Sequence, residues 1–412
     1  MRGRVGRVRR RVAVLYERPF RLFWLGRFSS AVGSALIPVA LPFAVLSVGG
    51  GVREIGYVLA AFVLSSALLA VAGGVWADRL PRRFVMIGCD VVSSGVQALT
   101  AVALFAGVMK WWMFIVTAML VGGATAFFGA ASMGLVPAIV RREHLQPANA
   151  LLGLTRNVTE IFGPAVSGIV VAGGGPAWVF AIDAASFAVS AAFLLALHVR
   201  ESIQTVRQRF LADLAEGLRD VRSRRWLSTG IAAYAILNLG LAPFLVLGPI
   251  VAQRDLGGAS AWGAIATGGA VGGAAGAVLG YRLRPSRPLL ACFAVALLAM
   301  LPPLALLPPL PAFAIAVANA AFELGLAFGG VVWVTTLQRE ISADRISRVS
   351  SLDWAASFLF LPVGLALTGP LAGAIGIHAT LLAAVALIVT AAVGAMLTRP
   401  VRELRAPRHA PR

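Results

Sequence analysis

Seven charged side chains stand inside otherwise apolar stretches of this 412-residue chain. An ionisable group at the centre of a lipid bilayer costs about 2.5 to 3.5 kcal/mol on insertion scales, so such groups usually face water or one another and mark functional sites. If these stretches cross a membrane, the carboxylates among the seven can bind and release protons, while the arginines keep their charge and can pair with them. The seven residues are Arg27, Asp90, Arg156, Glu160, Asp183, Glu323 and Asp353.

Two carboxylates of this set have neighbours at helical spacing. Arg156 and Glu160 are four residues apart, so they share a helix face and can pair with each other or with a partner across a cavity. Glu323 follows Asn319 by four. Apolar surroundings hold a proton on a carboxyl group and a nearby arginine favours its release, which allows proton exchange to be switched. We expect Glu160 first and Glu323 second to exchange protons, with Arg156 and Arg27 as charge partners; the alternative is an ion pair that only stabilises packing.

The other carboxylates have simpler interpretations. Asp90 and Asp353 stand near one end of their apolar runs and Asp183 near the opposite end, where water or a helix cap can satisfy them. We therefore expect structural roles for all three. Amide side chains inside apolar runs can contact a polar part of a substrate, and the candidates for a substrate cavity are Asn157, Asn238 and Asn319.

The composition requires a membrane. Hydrophobic residues make up 59% of the chain, charged residues 13%, and the mean hydropathy is +0.86, whereas an ordinary soluble domain is roughly 25% charged. A membrane-spanning helix needs about 20 apolar residues. Twelve runs meet this need and predict an all-α integral membrane protein of twelve transmembrane helices. The runs are 22–47, 55–77, 84–108, 113–134, 149–172, 177–199, 227–251, 262–281, 289–307, 311–337, 349–371 and 376–397.

The basic residues predict the orientation of these spans. The formal net charge is +19, and 31 of the 36 Lys and Arg residues fall in alternate connections and the two termini. Lys and Arg concentrate on the cytoplasmic side of membrane proteins. The alternation therefore predicts cytoplasmic termini and assigns the charge to topology, with no nucleic acid as partner.

The two halves of the chain repeat each other. Pro164 in span five corresponds to Pro362 in span eleven, and basic segments follow both span two and span eight. Internal repeats of this kind build transporters in which a midplane site lies between two bundles. We predict a six-helix bundle over 1–199, a cytoplasmic linker over 200–226 and a second six-helix bundle over 227–412. Apolar residues at helical spacing indicate an amphipathic helix in the linker: Leu211, Leu214, Leu218 and Val221.

The connection after span two carries a specific motif. Gly74, Asp78, Arg79, Arg82 and Arg83 resemble the signature between helices 2 and 3 of the major facilitator superfamily. Pro81 replaces the usual second glycine and Trp76 the usual leucine. The resemblance covers nearly the whole chain and is closest to enterobactin-exporter-like and multidrug-efflux-like bacterial proteins. It implies the major facilitator fold and a cytoplasmic gate, in which the motif carboxylate holds the two halves together when the cavity opens outward.

Two glycine patterns concern helix packing. Gly163, Pro164 and Gly168 in span five resemble the antiporter signature of the same family, with Thr159 and Ser167 in place of two of its glycines. This partial match favours export. In span eight, glycines recur every four residues and predict a smooth packing surface: Gly268, Gly272, Gly276 and Gly280.

These features predict a secondary active transporter rather than an enzyme. None of the four histidines pairs with a carboxylate at metal or triad spacing inside a span, and we expect no cofactor and no metal. The expected function is proton-coupled efflux of a hydrophobic or amphipathic small molecule, such as a drug, siderophore or secondary metabolite, by alternating access. The alternative is an importer of a small nutrient on the same fold. We expect a bacterial plasma membrane location, protons and lipid as partners, and function as a monomer.

Overall fold

A computed structural model describes residues 13–77, 80–199, 210–342 and 345–405. Helices account for nearly all of these ranges, and none of the residues within them forms a β-strand. The chain groups into two compact units, Met1–Gly50 with Ala61–Arg207 and Gly51–Ala60 with Gln208–Arg412. The domain boundaries proposed from the sequence stay a prediction.

The helices of the first half are α1 Arg18–Ser34, α2 Ile37–Ser47, α3 Val52–Ala77, α4 Arg82–Phe105, α5 Trp111–Ile139, α6 Leu145–Gly174 and α7 Pro176–Ala196. A 3-10 turn precedes α1 at Ala13–Tyr16 and another precedes α6 at Arg142–His144.

The helices of the second half are α8 Phe210–Ser223, α9 Arg225–Val251, α10 Ala259–Arg282, α11 Pro288–Ala296, α12 Leu301–Ala305, α13 Ala312–Glu340, α14 Ile346–Phe358, α15 Leu361–Ile375, α16 Ile377–Leu397 and α17 Arg399–Glu403. A π-helical turn, Ala252–Leu256, follows α9, and a 3-10 turn, Leu297–Met300, joins α11 to α12.

Membrane-crossing segments match the predicted spans closely. In the described part of the chain, eleven helical segments are long and apolar enough to cross a bilayer, and each coincides with a predicted span. The remaining predicted span, 149–172, lies in α6, which is 30 residues long but carries Arg156 and Glu160. The prediction of an all-α membrane protein is confirmed, and the count of twelve is approximately supported.

The first span consists of two helices, with a break just before a proline. Helix α1 ends at Ser34, and α2 begins at Ile37 with Pro38 in its first turn. Proline lacks the N–H that would continue the hydrogen bonding of the preceding helix, but it fits the first turn of a new one. The break at Ala35 and Leu36 therefore follows from Pro38.

Each unit has its own apolar core. In the first unit, Phe20, Phe23 and Met86 are fully buried. In the second, Leu227 and Phe293 are fully buried in a cluster with further side chains of α9, α11 and α13. These cores hold the helices that carry the charged residues.

The predicted glycine surface of span eight is confirmed. On α10, an added Cβ at Gly272 would overlap the backbone of Ala320, and one at Gly276 would overlap the backbone of Leu324, both on α13. Without side chains at these positions, α10 and α13 approach to backbone contact. The pair positions Glu323 and Asn319.

The linker contains the expected helix in α8. Val221 is buried there among side chains of the second unit. Arg345 Nη1 donates to Asp220 Oδ1 at 3.1 Å, and Arg224 Nη1 donates to the Glu340 carbonyl at 3.0 Å. The end of α8 and the residue that follows it are therefore bonded to the start of α14 and to the end of α13. The side chains of Leu211 and Leu214 lie outside the described residues.

Candidate functional site

The first unit brings together four charged residues from three helices. Arg156 Nε donates to Glu160 Oε1 at 2.7 Å on α6, with 78% and 51% of the two side chains exposed. On α1, Arg27 lies within electrostatic range of both Asp90 and Arg156. Its guanidinium carbon lies 4.9 Å from the ring centre of Phe128 on α5. The two predicted arginine partners of Glu160 therefore lie near each other.

Asp90 is far more enclosed than the sequence suggested. We expected water or a helix cap to satisfy it, but only 1% of it is exposed and its Oδ2 is unsatisfied among the described residues, so that part of the expectation is wrong. Its Oδ2 has no hydrogen-bond partner among the described residues, and neither has the Oγ of Ser190 on α7. Ser190 is nevertheless near enough to influence the Asp90 carboxyl group. The packing of α4 against α7 excludes water from this position, which a span boundary drawn from hydropathy does not show.

A sequence signal for this interface does exist. On α4, Asp90, Ser93, Gln97 and Thr100 are all buried, at spacings of three and four residues. On α7, Asp183, Ser186 and Ser190 show the same spacing. Positions three and four apart share a helix face, so each helix presents a polar stripe to the other. Sequence reasoning missed this match because it treated the carboxylates one at a time.

Asp183 is also buried, with 1% exposed, but it is fully engaged. It accepts hydrogen bonds from Gln97 Nε2 at 2.6 Å, Ser34 Oγ at 3.3 Å and Ser186 Oγ at 3.4 Å. Gly33 on α1 makes room for this contact, because a Cβ there would overlap Ser186 and Asp183. Side chains of α1 and α4 therefore replace the expected water or cap.

In the second unit, Asp353 on α14 accepts a 2.9 Å hydrogen bond from Trp333 Nε1 on α13. The residue is 9% exposed, and its Oδ1 has no partner in the described ranges. Trp333 packs edge-on against Trp226 and Tyr234. This carboxyl group is thus enclosed by aromatic rings instead of the water we expected.

Glu323 lies at the contact of α13 with α10. It is half-buried. Its Cγ lies close to Gly269 on α10, since a Cβ added to that glycine would be 3.2 Å from the Glu323 Cγ. One turn earlier, the Asn319 Nδ2 donates to the Ile265 carbonyl at 3.0 Å. Asn319 therefore bridges two helices, and Glu323 continues the same face.

The other two amide candidates have different surroundings. Asn157 is exposed on α6 in the first unit, beside Arg156. Asn238 on α9 donates from Nδ2 to the carbonyls of Tyr234 and Ser357, both at 3.0 Å. Asn238 thus bonds to α14 close to its end at Phe358. Of the three amides, only Asn157 has no helix-to-helix bond among the described contacts.

The signature after span two is partly described. Gly74 lies in α3, while Asp78 and Arg79 fall outside the described residues. Arg82 Nη1 donates to the Gly134 carbonyl on α5 at 2.8 Å. Arg83 donates from Nε to the Leu194 carbonyl at 2.9 Å and from Nη2 to the Leu195 carbonyl at 2.6 Å. The last carbonyls of a helix lack intrahelical partners and attract cations, so Arg83 caps the end of α7.

The antiporter-like segment of α6 packs against the break in span one. Gly163 lies against Ala35, where an added Cβ would overlap the alanine. Ser167 is fully buried, and its Oγ donates to the Leu36 carbonyl at 2.6 Å. Pro164 is inside the helix, and Gly168 is buried. Ser167, at a position where the signature has glycine, therefore bonds directly to the break.

None of the residues that the structure describes form a group of three or more His, Cys, Asp or Glu side chains able to hold a metal ion. The clusters present are charge pairs, buried carboxyl groups and helix-end arginines. Groups of these kinds can exchange protons and form electrostatic bonds.

Curated relatives cover almost the entire chain. Macrolide efflux protein A of Streptococcus pyogenes is 23% identical over 394 residues, which is 93% of this chain and 97% of that protein. Multidrug efflux pump Tap of Mycolicibacterium fortuitum is 26% identical over 386 residues, covering 89% and 92%. Enterobactin exporter EntS of Escherichia coli O1:K1 / APEC is 26% identical over 361 residues, covering 85% of each chain.

Solved structures share the fold. The nucleoside transporter NupG matches with a TM-score of 0.70 and 12% identity over 92% of this chain and 98% of its own. A bacterial homologue of the lysosomal transporter Spinster matches with a TM-score of 0.68 and 14% identity, covering 97% and 99%. The sequence model of the Major Facilitator Superfamily matches residues 23–359. With the helical architecture and these matches in agreement, the chain belongs to the major facilitator superfamily of membrane transporters.

Proposed function

We propose that this protein exports a hydrophobic or amphipathic small molecule, a drug, siderophore or secondary metabolite, in exchange for protons. It exposes its binding site to the two sides of the bacterial plasma membrane in turn. It works as a monomer with both termini in the cytoplasm. The observation that carries the proposal is that the three relatives named above, all called efflux proteins or exporters, align over 85% or more of both chains.

The charge pair on α6 supports an aqueous site in the first unit. Arg156 and Glu160 stand near the middle of a 30-residue helix, and both side chains lie exposed on the protein surface. If that face met hydrocarbon, each charge would cost about 2.5 to 3.5 kcal/mol. A face that lines a water-filled cavity avoids this cost. We therefore propose that Glu160 exchanges protons and that Arg156 and Arg27 adjust its proton affinity.

Glu323 is the proposed proton site of the second unit. Its surroundings include the glycine backbone of α10, and Asn319 lies one turn earlier on the same helix. A smooth glycine surface lets a carboxyl group approach a neighbouring helix without a side chain in between. Asn157, Asn238 and Asn319 remain proposed substrate contacts, with Asn157 the most accessible of the three.

The signature after span two is the proposed cytoplasmic gate, with Gly74, Asp78, Arg79, Arg82 and Arg83 as its residues. Arg82 and Arg83 support this role because they bond to carbonyls of α5 and α7. The start of α4 is thereby bonded to two neighbouring helices. Gly163, Pro164 and Gly168 are the proposed antiporter segment of α6, where Gly163 and Ser167 pack against the break in span one.

Vesicle transport tests the function and its direction. Inverted membrane vesicles that contain the protein should accumulate a labelled macrolide when a proton gradient is imposed, and a protonophore should abolish the accumulation. Vesicles with Glu160→Gln should lose this uptake while retaining normal amounts of inserted protein. Accumulation only in right-side-out vesicles would contradict export and support a nutrient importer.

A further inference from the structure

A continuous set of four charges joins three helices of the first unit. Glu160 and Arg156 form the 2.7 Å pair on α6. Arg27 on α1 lies within electrostatic range of Arg156 and also of Asp90 on α4. The order of charges is therefore carboxylate, guanidinium, guanidinium, carboxylate, with Asp90 at the buried end and Glu160 at the exposed end.

The surroundings of Asp90 leave room for a proton. Its Oδ2 and the Oγ of Ser190 on α7 are both buried, and the two groups lie near each other without a hydrogen bond of normal geometry. A neutral acid has an O–H that can donate, whereas a carboxylate can only accept. The charged groups facing Asp90 are Arg27 from α1 and, beyond it, Arg156 from α6. Helix α5 has no ionisable residue, α7 contributes the Ser190 hydroxyl, and the thiol of Cys89 is its chain neighbour.

The other buried carboxyl groups lack this combination. Asp183 is satisfied by three side-chain donors. Asp353 has an open oxygen but is enclosed by Trp333, Ser357 and Tyr234, with no arginine among the groups that influence it. Only Asp90, of the three, has both an open oxygen and an arginine that can balance its ionised form.

We propose that Asp90 is a second proton-binding residue of the first unit, coupled to Glu160 through Arg27 and Arg156. The inference rests on the proposed proton-coupled transport and adds a site to it. When a rearrangement of α4 and α7 admits water to this position, a proton binds Asp90 Oδ2 and removes the negative charge opposite Arg27. The positive charge of Arg27 then acts more strongly toward Arg156 and Glu160, and it favours the ionised form of Glu160. Uptake at one carboxyl group thereby promotes release at the other.

Infrared difference spectroscopy of the full chain in liposomes tests this without any substrate, with the proton itself as probe. Acidification of wild-type protein should produce C=O stretching bands of Asp90 and of Glu160 among those of the other carboxyl groups. Asp90→Asn should remove one of them, and Glu160→Gln should remove the other and move the pH at which the Asp90 band appears. Arg27→Gln should also change the pH at which the Asp90 band appears. Arg27→Lys keeps the positive charge, so in that variant the band should appear near the wild-type pH.

Asp353→Asn is the matched control, since its side-chain oxygen can still accept the bond from Trp333. It should leave the Asp90 band unchanged. An Asp90→Asn spectrum identical to wild type over the whole pH range would overturn the site, and a Glu160→Gln variant with an unmoved Asp90 band would overturn the coupling. If Asp90→Asn does not insert, Asp90→Glu should change the frequency of the band, and an unchanged frequency again overturns the site. Absence of proton-driven macrolide uptake by wild-type vesicles would contradict macrolide export separately from these spectra, which use no substrate.

Discussion

At the scale of single residues, the surroundings of a charge decide its role more than its position in a span. Glu160 and Asp90 both lie within apolar runs, yet Glu160 is 51% exposed beside Arg156 and Asp90 is 1% exposed. Asp183 has three hydrogen-bond donors, whereas the Oδ2 of Asp90 has no partner among the described residues. A buried carboxyl group with every oxygen satisfied stabilises the fold. One that retains an open oxygen near an arginine can exchange a proton.

Glu160→Gln should reduce proton-driven uptake into inverted vesicles at least tenfold, because glutamine keeps the size and polarity of the side chain but cannot bind a proton. A tenfold loss corresponds to about 1.4 kcal/mol. Glu143→Gln is the matched control, since Glu143 is 70% exposed and lies 3.9 Å from Arg141 in a connection. Equal uptake by the two variants would contradict the role of Glu160.

Glu323→Gln should likewise abolish coupling to the proton gradient. The expected signature is that substrate exchange without a gradient persists while uphill accumulation is lost. This is measured by comparing counterflow of a labelled macrolide with proton-driven uptake in the same vesicles. Wild-type accumulation in this variant would remove Glu323 from the mechanism.

At the scale of helices, small residues and side-chain hydrogen bonds set the contacts between neighbours. Gly272 and Gly276 bring α10 to the backbone of α13, and Gly163 brings α6 to Ala35. Arg83 bonds to the last carbonyls of α7, and Ser167 bonds to the Leu36 carbonyl. Helix association in lipid depends on such close packing and interhelical bonds, because lipid tails solvate apolar side chains as well as another helix does.

Gly272→Ala should destabilise the second unit, because the added methyl overlaps the Ala320 backbone, which has no flexible end that can move away. Overpacking of this kind costs about 1 to 3 kcal/mol. The measurement is the thermal unfolding of the protein in detergent. Gly273→Ala on the same helix is the control, since its Cβ would meet only Glu323 atoms at 3.9 and 4.0 Å. Similar stability of the two variants would contradict the packing argument.

Ser167→Ala should weaken the contact of α6 with the break in span one by about 0.5 to 1.5 kcal/mol, the net contribution of a typical hydrogen bond. The Leu36 carbonyl retains its bond from the Ala40 N–H, so the effect stays moderate. Hydrogen exchange of the amides around Leu36 should increase. Thr125→Ala is the control, because it removes a hydrogen bond between two residues of α5, from Thr125 to the Val121 carbonyl. It should leave hydrogen exchange at Leu36 unaltered.

At the scale of the whole molecule, the distribution of arginine predicts the orientation of the spans. The connections predicted to be cytoplasmic contain most of the basic residues, whereas those predicted to be outside hold only Arg53, Lys110 and Arg254. Described helices agree with eleven of the twelve predicted spans. An additional or missing span would reverse the sidedness of every connection after it.

Cysteines introduced at Arg141 and Arg345 should therefore react with a membrane-impermeant thiol reagent from the cytoplasmic side, and one at Lys110 from the opposite side. All three positions are exposed. Of the two native cysteines, Cys292 is buried and Cys89 is half-buried, so the labelling is compared with that of the protein without an introduced cysteine. Labelling is measured in inverted vesicles and in intact cells. Reaction of the Arg141 and Arg345 positions from opposite sides would exclude the predicted topology.

The sequence by itself determined that most of the chain lies in lipid, that it is helical, and to which family it belongs. Apolar runs of membrane length, Pro38 and the four-residue glycine spacing act locally, so their consequences can be derived from position along the chain. The pairing of Arg156 with Glu160 was also predictable, since i and i+4 always share a helix face.

Only the tertiary structure decided which charges are enclosed. Asp90 is buried because α7 packs on it, Asp183 is satisfied by Gln97 and Ser34 from two other helices, and Asp353 meets Trp333 twenty residues earlier in the chain. Contacts of this kind depend on which helices are neighbours and on their rotation about their axes. Hydropathy records neither property, because it sums over all faces of a helix.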